Sequence, residues 1–171
     1  MRGANLVNGM YVGYPHTAVG AVSAAVEFWT QIGSTLDPDR AAAVGRLTAD
    51  PAWTTAPADL AKGPIATRKA LGLPASGQVP SGSSVVLSPV QYQVRSQGTD
   101  EDSVLLLCDY TTSTPDAGTQ TRIGVFPITL HWAAADWKVT DTTADTTDYS
   151  SLSATPGSAQ ATANGWQDFT R

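Results

Sequence analysis

The sequence predicts an α+β fold in which N-terminal helices pack on a curved antiparallel sheet. Between residues 17 and 71 the apolar residues recur every three or four positions, the period of one helical face. From Val90 onward, apolar and polar residues alternate, which is the period of a strand. Helices followed by a run of strands are the order expected of an α+β domain.

The first helix has a predicted start and a predicted end. Thr17 can act as its N-cap, because a threonine hydroxyl accepts a hydrogen bond from an amide of the first turn. Gly33 suits the left-handed conformation that often closes a helix. The expected apolar stripe comprises Val19, Val22, Val26, Trp29 and Ile32.

Two further helices are expected. Asp37 and Pro38 read as the N-cap and first position of the second helix, and Pro51 ends it. A third helix is expected from Asp59 to about Leu71, broken or kinked at Pro64, because a proline inside a helix removes a hydrogen bond. Its expected buried residues are Leu60, Ile65 and Leu71.

The second half of the chain predicts four strands after a loop at residues 74–84. The strands are expected at residues 90–95, 104–111 and 123–132, with a last one beginning at Trp137. The first is half-buried, with its glutamines on the polar side, and the second is apolar on both faces, as in a central strand covered on both sides. Pro127 is expected at a bulge or at an edge.

The last two strands are expected to form a hairpin closed by four residues, Ala133 to Asp136. In that hairpin Trp132 lies opposite Trp137, and Leu130 lies opposite Val139. Aromatic cross-strand pairs of this kind hold the register by about 0.2–1 kcal/mol each.

The C-terminal residues have a different composition. Residues 141–164 are dominated by Thr, Ser, Ala and Asp, and we expect them to form an extended or mobile tail. Trp166 and Phe169 are exceptions, and docking on the chain's own domain and docking on a partner both remain open for them. We therefore divide the chain into an N-terminal extension, a domain and a polar tail with terminal aromatics, at residues 1–12, 13–141 and 142–171.

Two segments carry a resemblance to known proteins. The opening GYPHTAVGAVSAA, residues 13–25, is similar to a motif of actinobacterial proteins, largely uncharacterised envelope proteins, some of them encoded near conjugative elements. The order of elements and the closing hairpin LHW…DWKV, residues 130–139, resemble the NTF2-like superfamily, over about residues 11–140. The opening also has a purely structural interpretation, in which it fixes the start of the first helix and His16 is not a catalyst.

The resemblance implies a function and a location. Related conjugation and secretion components use such domains as scaffolds outside the cytoplasm, usually behind an upstream membrane anchor, which this sequence lacks. We therefore expect a non-enzymatic scaffold or protein-binding domain on the extracellular face of the envelope. Its partner would be another protein or a second copy, and membrane attachment would need the missing anchor.

Composition excludes several other classes. The net charge is −5, and the basic residues are scattered, so neither nucleic acid nor an anionic membrane surface is expected as a partner. Cys108 is the single cysteine, so no intramolecular disulfide is possible. No window reaches the roughly 18 apolar residues of a membrane span, and no signal peptide is visible.

No catalytic residue, metal site or cofactor is predicted. A hairpin that pairs Cys108 with Gly124 places His131 near residue 101, about seven residues away along the strand. That separation is roughly 23 Å, which is too far for Cys108, or for its neighbour Asp109, to contact His131. Cys108 is then a small buried apolar residue. The two histidines and the cysteine form no metal-binding pattern, and the acidic residues 100–102 are better explained as a solvated turn than as a weak calcium site.

A second function stays open beside the scaffold. An NTF2-like cone can enclose a pocket, which would make the chain a small-molecule-binding protein or an enzyme of the hydratase or isomerase type. The residues expected to line such a pocket are Trp29, Tyr92, Tyr110, Phe126, Leu130 and Trp132. A deep cavity with at least two facing polar groups would favour the pocket, and a closed core would favour the scaffold.

Overall fold

The computed structural model describes residues 1–141 and 146–169, and residues 142–145 and 170–171 of the expected tail lie outside the described residues. The N-terminal elements are β1 (Asn5–Val7), β2 (Met10–Val12), α1 (Ala18–Gly33), α2 (Pro38–Thr48) and α3 (Ala56–Ala70). The strands β3 (Ser84–Gln97), β4 (Glu101–Thr114), β5 (Gly118–Ala133) and β6 (Asp136–Val139) follow. A 3₁₀ turn (Ser150–Leu152), α4 (Ala159–Ala163) and β7 (Gln167–Asp168) complete the chain.

The strands form two antiparallel sheets, which confirms the α+β class. β1 pairs with β2, and the other strands form a five-stranded sheet of order β6-β5-β4-β3-β7. The central strand β4 has large apolar side chains on both faces, with Leu106 and Cys108 on one and Leu105 and Leu107 on the other. We call the first the front face and the second the back face.

The predicted N-caps of the first two helices are confirmed, whereas the third helix differs from its predicted bounds. The Thr17 hydroxyl accepts from the Gly20 amide at 3.1 Å, and Asp37 accepts from the Asp39 amide at 2.9 Å. α3 begins three residues earlier than expected and continues through Pro64 as one helix. Gly63 permits this, because it has no Cβ to clash with the ring of the proline that follows.

The front face is covered by α1, which approaches the sheet through small residues. Ala21 and Ala25 are fully buried, whereas Val19, expected in the apolar stripe, is 61% exposed. Gly33 is the last residue of α1 and has no left-handed conformation, contrary to expectation. A Cβ on it would lie 2.7 Å from the Cβ of Leu87, so the glycine permits the close approach of helix and strand.

The back face is covered by the C-terminal segment, so the expectation of an extended or mobile tail is wrong for its described part. Trp166 is buried against Leu105 and Leu107, and its indole N–H donates to the carbonyl of Leu152 at 2.8 Å. Phe169 stacks on the ring of Tyr92, at 5.2 Å between centroids. Both terminal aromatics therefore dock on the chain's own domain.

The C-terminal segment also buries side chains of β3 that were expected to be exposed. Gln91 and Gln93, expected on a polar surface, are each 4% exposed. The amide of Gln91 donates to Asp168 at 2.8 Å, and that of Gln93 donates to the carbonyl of Asn164 at 2.8 Å. The two glutamines therefore bind the tail that covers them.

The predicted registers are confirmed. Cys108 pairs with Gly124, residue 101 pairs with His131, and Trp132 pairs with Trp137. Pro127 causes no bulge, and the register of β4 and β5 is continuous from end to end. Because β6 pairs with β5 only at residues 130–133, Pro127 lies on the part of β5 where β6 forms no pair, which is the predicted edge position.

The turn between β5 and β6 differs from the expected four-residue loop. Ala133 and Asp136 pair with each other, so only Ala134 and Ala135 form the turn. Their φ angles are +52° and +58°. Two consecutive positive φ angles are the signature of a type I′ turn, which favours Asn-Gly because a Cβ in this region costs about 1 kcal/mol.

We expect the double variant Ala134→Asn, Ala135→Gly to raise the free energy of unfolding by about 1 kcal/mol, because it relieves this strain. Urea denaturation followed by tryptophan fluorescence measures the effect. Ala117→Gly, in the turn between β4 and β5 where φ is not positive, is the control and should give no gain. A double variant less stable than the parent protein would contradict the assignment of strain to this turn.

Candidate functional site

A cleft of about 390 Å³ opens between α1, α3 and the front face of the sheet. Its walls are mostly apolar and include three of the residues expected to line a pocket, namely Trp29, Tyr110 and Phe126. Further lining residues are Phe28, Ile32, Trp53, Leu60, Gly63, Pro64, Thr67, Leu87, Pro127 and Ile128.

The cleft exists because α3 is held by α2 and by adjoining loops. Gly45 of α2 lets α3 approach closely, since a Cβ there would lie 3.2 Å from the backbone of Ala56. Arg68, 1% exposed, anchors the other end of α3. Its guanidinium donates to the carbonyl oxygens of Leu36, Pro74 and Gly77, at 2.5, 3.2 and 2.9 Å.

The aromatic wall of the cleft contains a polar group without a partner. Trp29 packs edge-to-face on Phe126, with 5.1 Å between ring centroids, and Phe126 contacts Tyr110. The indole Nε1 of Trp29 is buried and has no hydrogen-bond partner among the described residues. An unsatisfied buried donor costs about 1–3 kcal/mol. Because this nitrogen is enclosed by protein, a molecule in the cleft would contact other atoms of the Trp29 ring and not the N–H.

Asp59 is the charged residue that lines the cleft, and its oxygens are fully engaged. They pair with the Lys62 ammonium at 2.7 Å and accept from the Thr55 hydroxyl at 2.6 Å and the Trp53 indole at 3.2 Å. These donors, Lys62 first, lower the pKa of Asp59 to about 2. The carboxylate is therefore ionised near neutral pH and is unsuited to act as a base for a ligand.

A second compartment, of about 440 Å³, adjoins the cleft beneath the C-terminal half of α3. Thr67 and Tyr110 line both spaces, so the two spaces adjoin at these residues. The lining of the second compartment is more polar and includes Thr112, Gln120 and Arg122 from the hairpin of β4 and β5.

The other three residues expected to line a pocket lie elsewhere. Tyr92 borders a separate groove of about 410 Å³ between the N-terminal half of α1 and β3. Leu130 is buried in the core. Trp132 stacks on the ring of His16, with 4.3 Å between centroids. All three side chains belong to the front face of the sheet, but the sequence pattern does not show which residues of that face α1 and the opening motif cover.

The opening motif contacts the closing hairpin. The indole of Trp137 donates to the carbonyl of Pro15 at 2.9 Å, and Asp136 accepts from the amide of Tyr14 at 3.0 Å. His16 Nε2 lies 2.8 Å from the carbonyl oxygen of Thr99. The two segments that carry the sequence resemblance are thus packed on each other, in agreement with the structural interpretation of the opening motif.

An Asp–His pair is present that sequence reasoning missed. Nδ1 of His131 lies 2.7 Å from a carboxylate oxygen of Asp50, in the loop after α2, and the amide of Asp50 donates to the carbonyl of Val139 at 2.8 Å. The hydrogen bond with His131 lowers the pKa of Asp50. Such a pair can serve as a general base, but neither residue lines the cleft. No local sequence pattern signals it, because 81 positions separate the two residues.

The remaining candidate chemistry is weak in the described ranges. Cys108 is fully buried, and burial raises the pKa of its thiol to about 12, so it stays protonated. Residues 1–141 and 146–169 contain no group of three or more metal-binding side chains placed to hold an ion. None of the helices described is long and apolar enough to cross a bilayer.

The chain was compared with known families and proteins. A family model described as a domain of unknown function (DUF8175) matches residues 4–160, from just before the N-terminal hairpin into α4. No curated protein and no solved structure matches the chain.

The Asp50–His131 contact predicts a pH dependence of stability. The folded-state pKa of Asp50 lies below its ordinary value of 3.8, so the contact stabilises the fold above that value and is lost as the pH falls through the folded-state pKa. We expect the difference in unfolding free energy between the parent protein and Asp50→Asn to shrink as the pH falls from about 5 to 2. The exposed Asp116, changed to Asn, is the control, and a difference for Asp50→Asn that stays constant with pH would contradict the assignment.

Proposed function

We propose that this chain, which belongs to the DUF8175 family, is a non-enzymatic binding domain whose site for a small apolar ligand is the cleft between α1, α3 and the sheet. The observation that carries the proposal is the cleft itself, about 390 Å³ of space walled by Trp29, Trp53, Tyr110 and Phe126. Ligand sites in proteins occupy roughly 300–1,000 Å³ and are mostly apolar, with a few polar groups that orient the ligand.

The polar groups around the cleft match this description. Thr67, on α3, and Tyr110, on β4, line the space from two walls, and each of these side chains carries a hydroxyl group. A ligand that carries a carbonyl, ether or hydroxyl oxygen would find donors here, and its apolar part would displace water from the aromatic wall.

The absence of a reactive group among the residues that line the cleft supports binding rather than catalysis. Asp59 is held by Lys62 and two other donors, and Asp50 and His131 do not line the cleft. Cys108 is fully buried in the core, and its raised pKa keeps it a thiol. A hydratase or isomerase would need a base that reaches the ligand, so this alternative ranks below simple binding.

The NTF2-like assignment and the location at an actinobacterial envelope belong to the same proposal. The first is supported by helices on the front face of an antiparallel sheet with a cleft between them. The second rests on the resemblance of the opening motif at residues 13–25. In such a location the domain would hold an apolar molecule that water alone dissolves poorly.

We expect Thr67→Phe to abolish ligand binding while the protein stays folded. The added ring fills the space where the cleft meets its neighbour, and phenylalanine and threonine have similar helix propensities. The measurement is titration of the neutral apolar dye N-phenyl-1-naphthylamine, followed by dye fluorescence and by quenching of tryptophan. Affinity for the dye should fall at least about tenfold, which corresponds to about 1.4 kcal/mol.

Lys69→Phe is the matched control, because Lys69 is exposed on the same helix and does not line either space. It should bind the dye like the parent protein. Equal affinity in all three proteins would show that the dye binds elsewhere, and no binding to the parent protein would contradict the proposed site.

The scaffold function remains a second proposal, favoured by one feature of the sheet. In the described ranges β6 pairs with β5 only at residues 130–133, so the outer edge of β5 from Gly118 to Ile128 has no strand partner. An open edge can accept a strand from another chain. Arg122 and Pro127 lie on this stretch, however, and charged residues and prolines are what natural edge strands use to prevent such pairing.

Sedimentation velocity over a wide concentration range tests self-association through this edge. A dimer that grows with concentration would favour the scaffold. We expect a monomer throughout, because Arg122 and Pro127 oppose strand addition, and that result would contradict self-association.

A further inference from the structure

The two adjoining compartments differ in chemistry, and this difference specifies the ligand. The cleft is walled largely by aromatic rings, whereas the lining of the space beneath the C-terminal half of α3 mixes alanines and Leu71 with hydroxyls, an amide and Arg122. They share Thr67 and Tyr110, so a molecule that passes these two residues would extend from the first space into the second. A ligand that fits both is apolar at one end and polar at the other.

Arg122 indicates that the polar end of the ligand is negatively charged. It is the charged residue among those that line the second compartment, and it pairs across the sheet with Tyr110, so both side chains belong to the front face. Its guanidinium forms no ion pair with any described residue. An unpaired guanidinium presents several donors to an anion and binds carboxylate or phosphate oxygens through two parallel hydrogen bonds.

The charges around the cleft do not oppose this assignment. Asp59 lies in the wall of the aromatic cleft, but Lys62 neutralises it at 2.7 Å. Among the residues that the structure describes, no other carboxylate lines either space. The chain as a whole carries a net charge of −5, and the cleft is largely uncharged. Arg122 therefore attracts an anion to one place, the compartment beside the cleft.

We propose that the ligand is an amphipathic molecule, whose alkyl chain lies in the aromatic cleft and whose anionic head group binds Arg122. The proposal rests on the proposed function, since it names the ligand class of the same site. A carboxylate and a phosphate head group satisfy the same chemistry, and the experiment separates them.

The test compares three ligands that have the same alkyl chain, namely dodecanoate, dodecyl phosphate and 1-dodecanol, each kept below its micellar concentration. Their affinities are measured by displacement of N-phenyl-1-naphthylamine from the parent protein, from Arg122→Gln and from the control Arg46→Gln. Arg46 is exposed on α2 and lines neither space. Circular dichroism checks that both variants fold.

We expect at least one of the two anions to bind the parent protein about tenfold more tightly than dodecanol, since a hydrogen bond to a charged group is worth about 1.5 kcal/mol or more. Arg122→Gln should remove this advantage, leave dodecanol unchanged, and differ from Arg46→Gln. The anion that loses more affinity identifies the head group.

Three results would overturn the inference. If the anions and dodecanol bind alike, or if Arg122→Gln weakens none of them, the head group does not bind Arg122, although the apolar site stands. If the dye binds and no alkyl ligand displaces it, the ligand class is wrong. If neither dye nor alkyl ligand binds the parent protein, the proposed function fails together with the inference.

Discussion

The burial of β4 on both faces is the constraint on which the other elements depend. Leu105, Leu106, Leu107 and Cys108 are each at most 2% exposed, which requires a cover on each side of the sheet. α1 supplies the front cover, and the C-terminal segment, which carries Trp166, supplies the back cover. Without the back cover, Leu105 and Leu107 would lie in water at a cost of roughly 1.5–3 kcal/mol each. The C-terminal segment is therefore part of the fold, although its composition suggests a solvated tail.

The cleft exists because α1 does not cover the whole front face of the sheet. α1 packs closely on β3 and β4 through its small residues and Gly33, but it leaves the aromatic surface of Tyr110 and Phe126 to one side. α3 forms the opposite wall of that space, and it is fixed to α2 and, through the buried Arg68, to the loops around it. Because a guanidinium that donates to three carbonyl oxygens sets the position of α3, the width of the cleft is determined by polar contacts outside it.

Local patterns predicted the parts of the fold that local chemistry determines. The caps at Thr17 and Asp37 and the pairing of Trp132 with Trp137 each depend on a few neighbouring residues or on alternation along one hairpin. The contacts that were missed join distant parts of the chain. Gln91 binds Asp168 across 77 positions, and a glutamine on the polar side of a strand looks the same in a sequence whether water or a tail covers it. For the site, the sequence gives a set of expected lining residues, but only the packing of α1 and α3 decides which of them border an open space.

The tryptophans distinguish the cleft from the rest of the molecule. The indole N–H groups of Trp53, Trp137 and Trp166 donate to a carboxylate or a carbonyl oxygen. Trp29 has a buried N–H with no acceptor among the described residues, and it lies in the wall of the cleft. Since natural proteins leave few buried donors unpaired, such a donor calls for an explanation at its own position. Because this N–H is enclosed by protein, it adds no polar group to the surface of the cleft, and the aromatic wall made by Trp29, Phe126 and Tyr110 is correspondingly apolar.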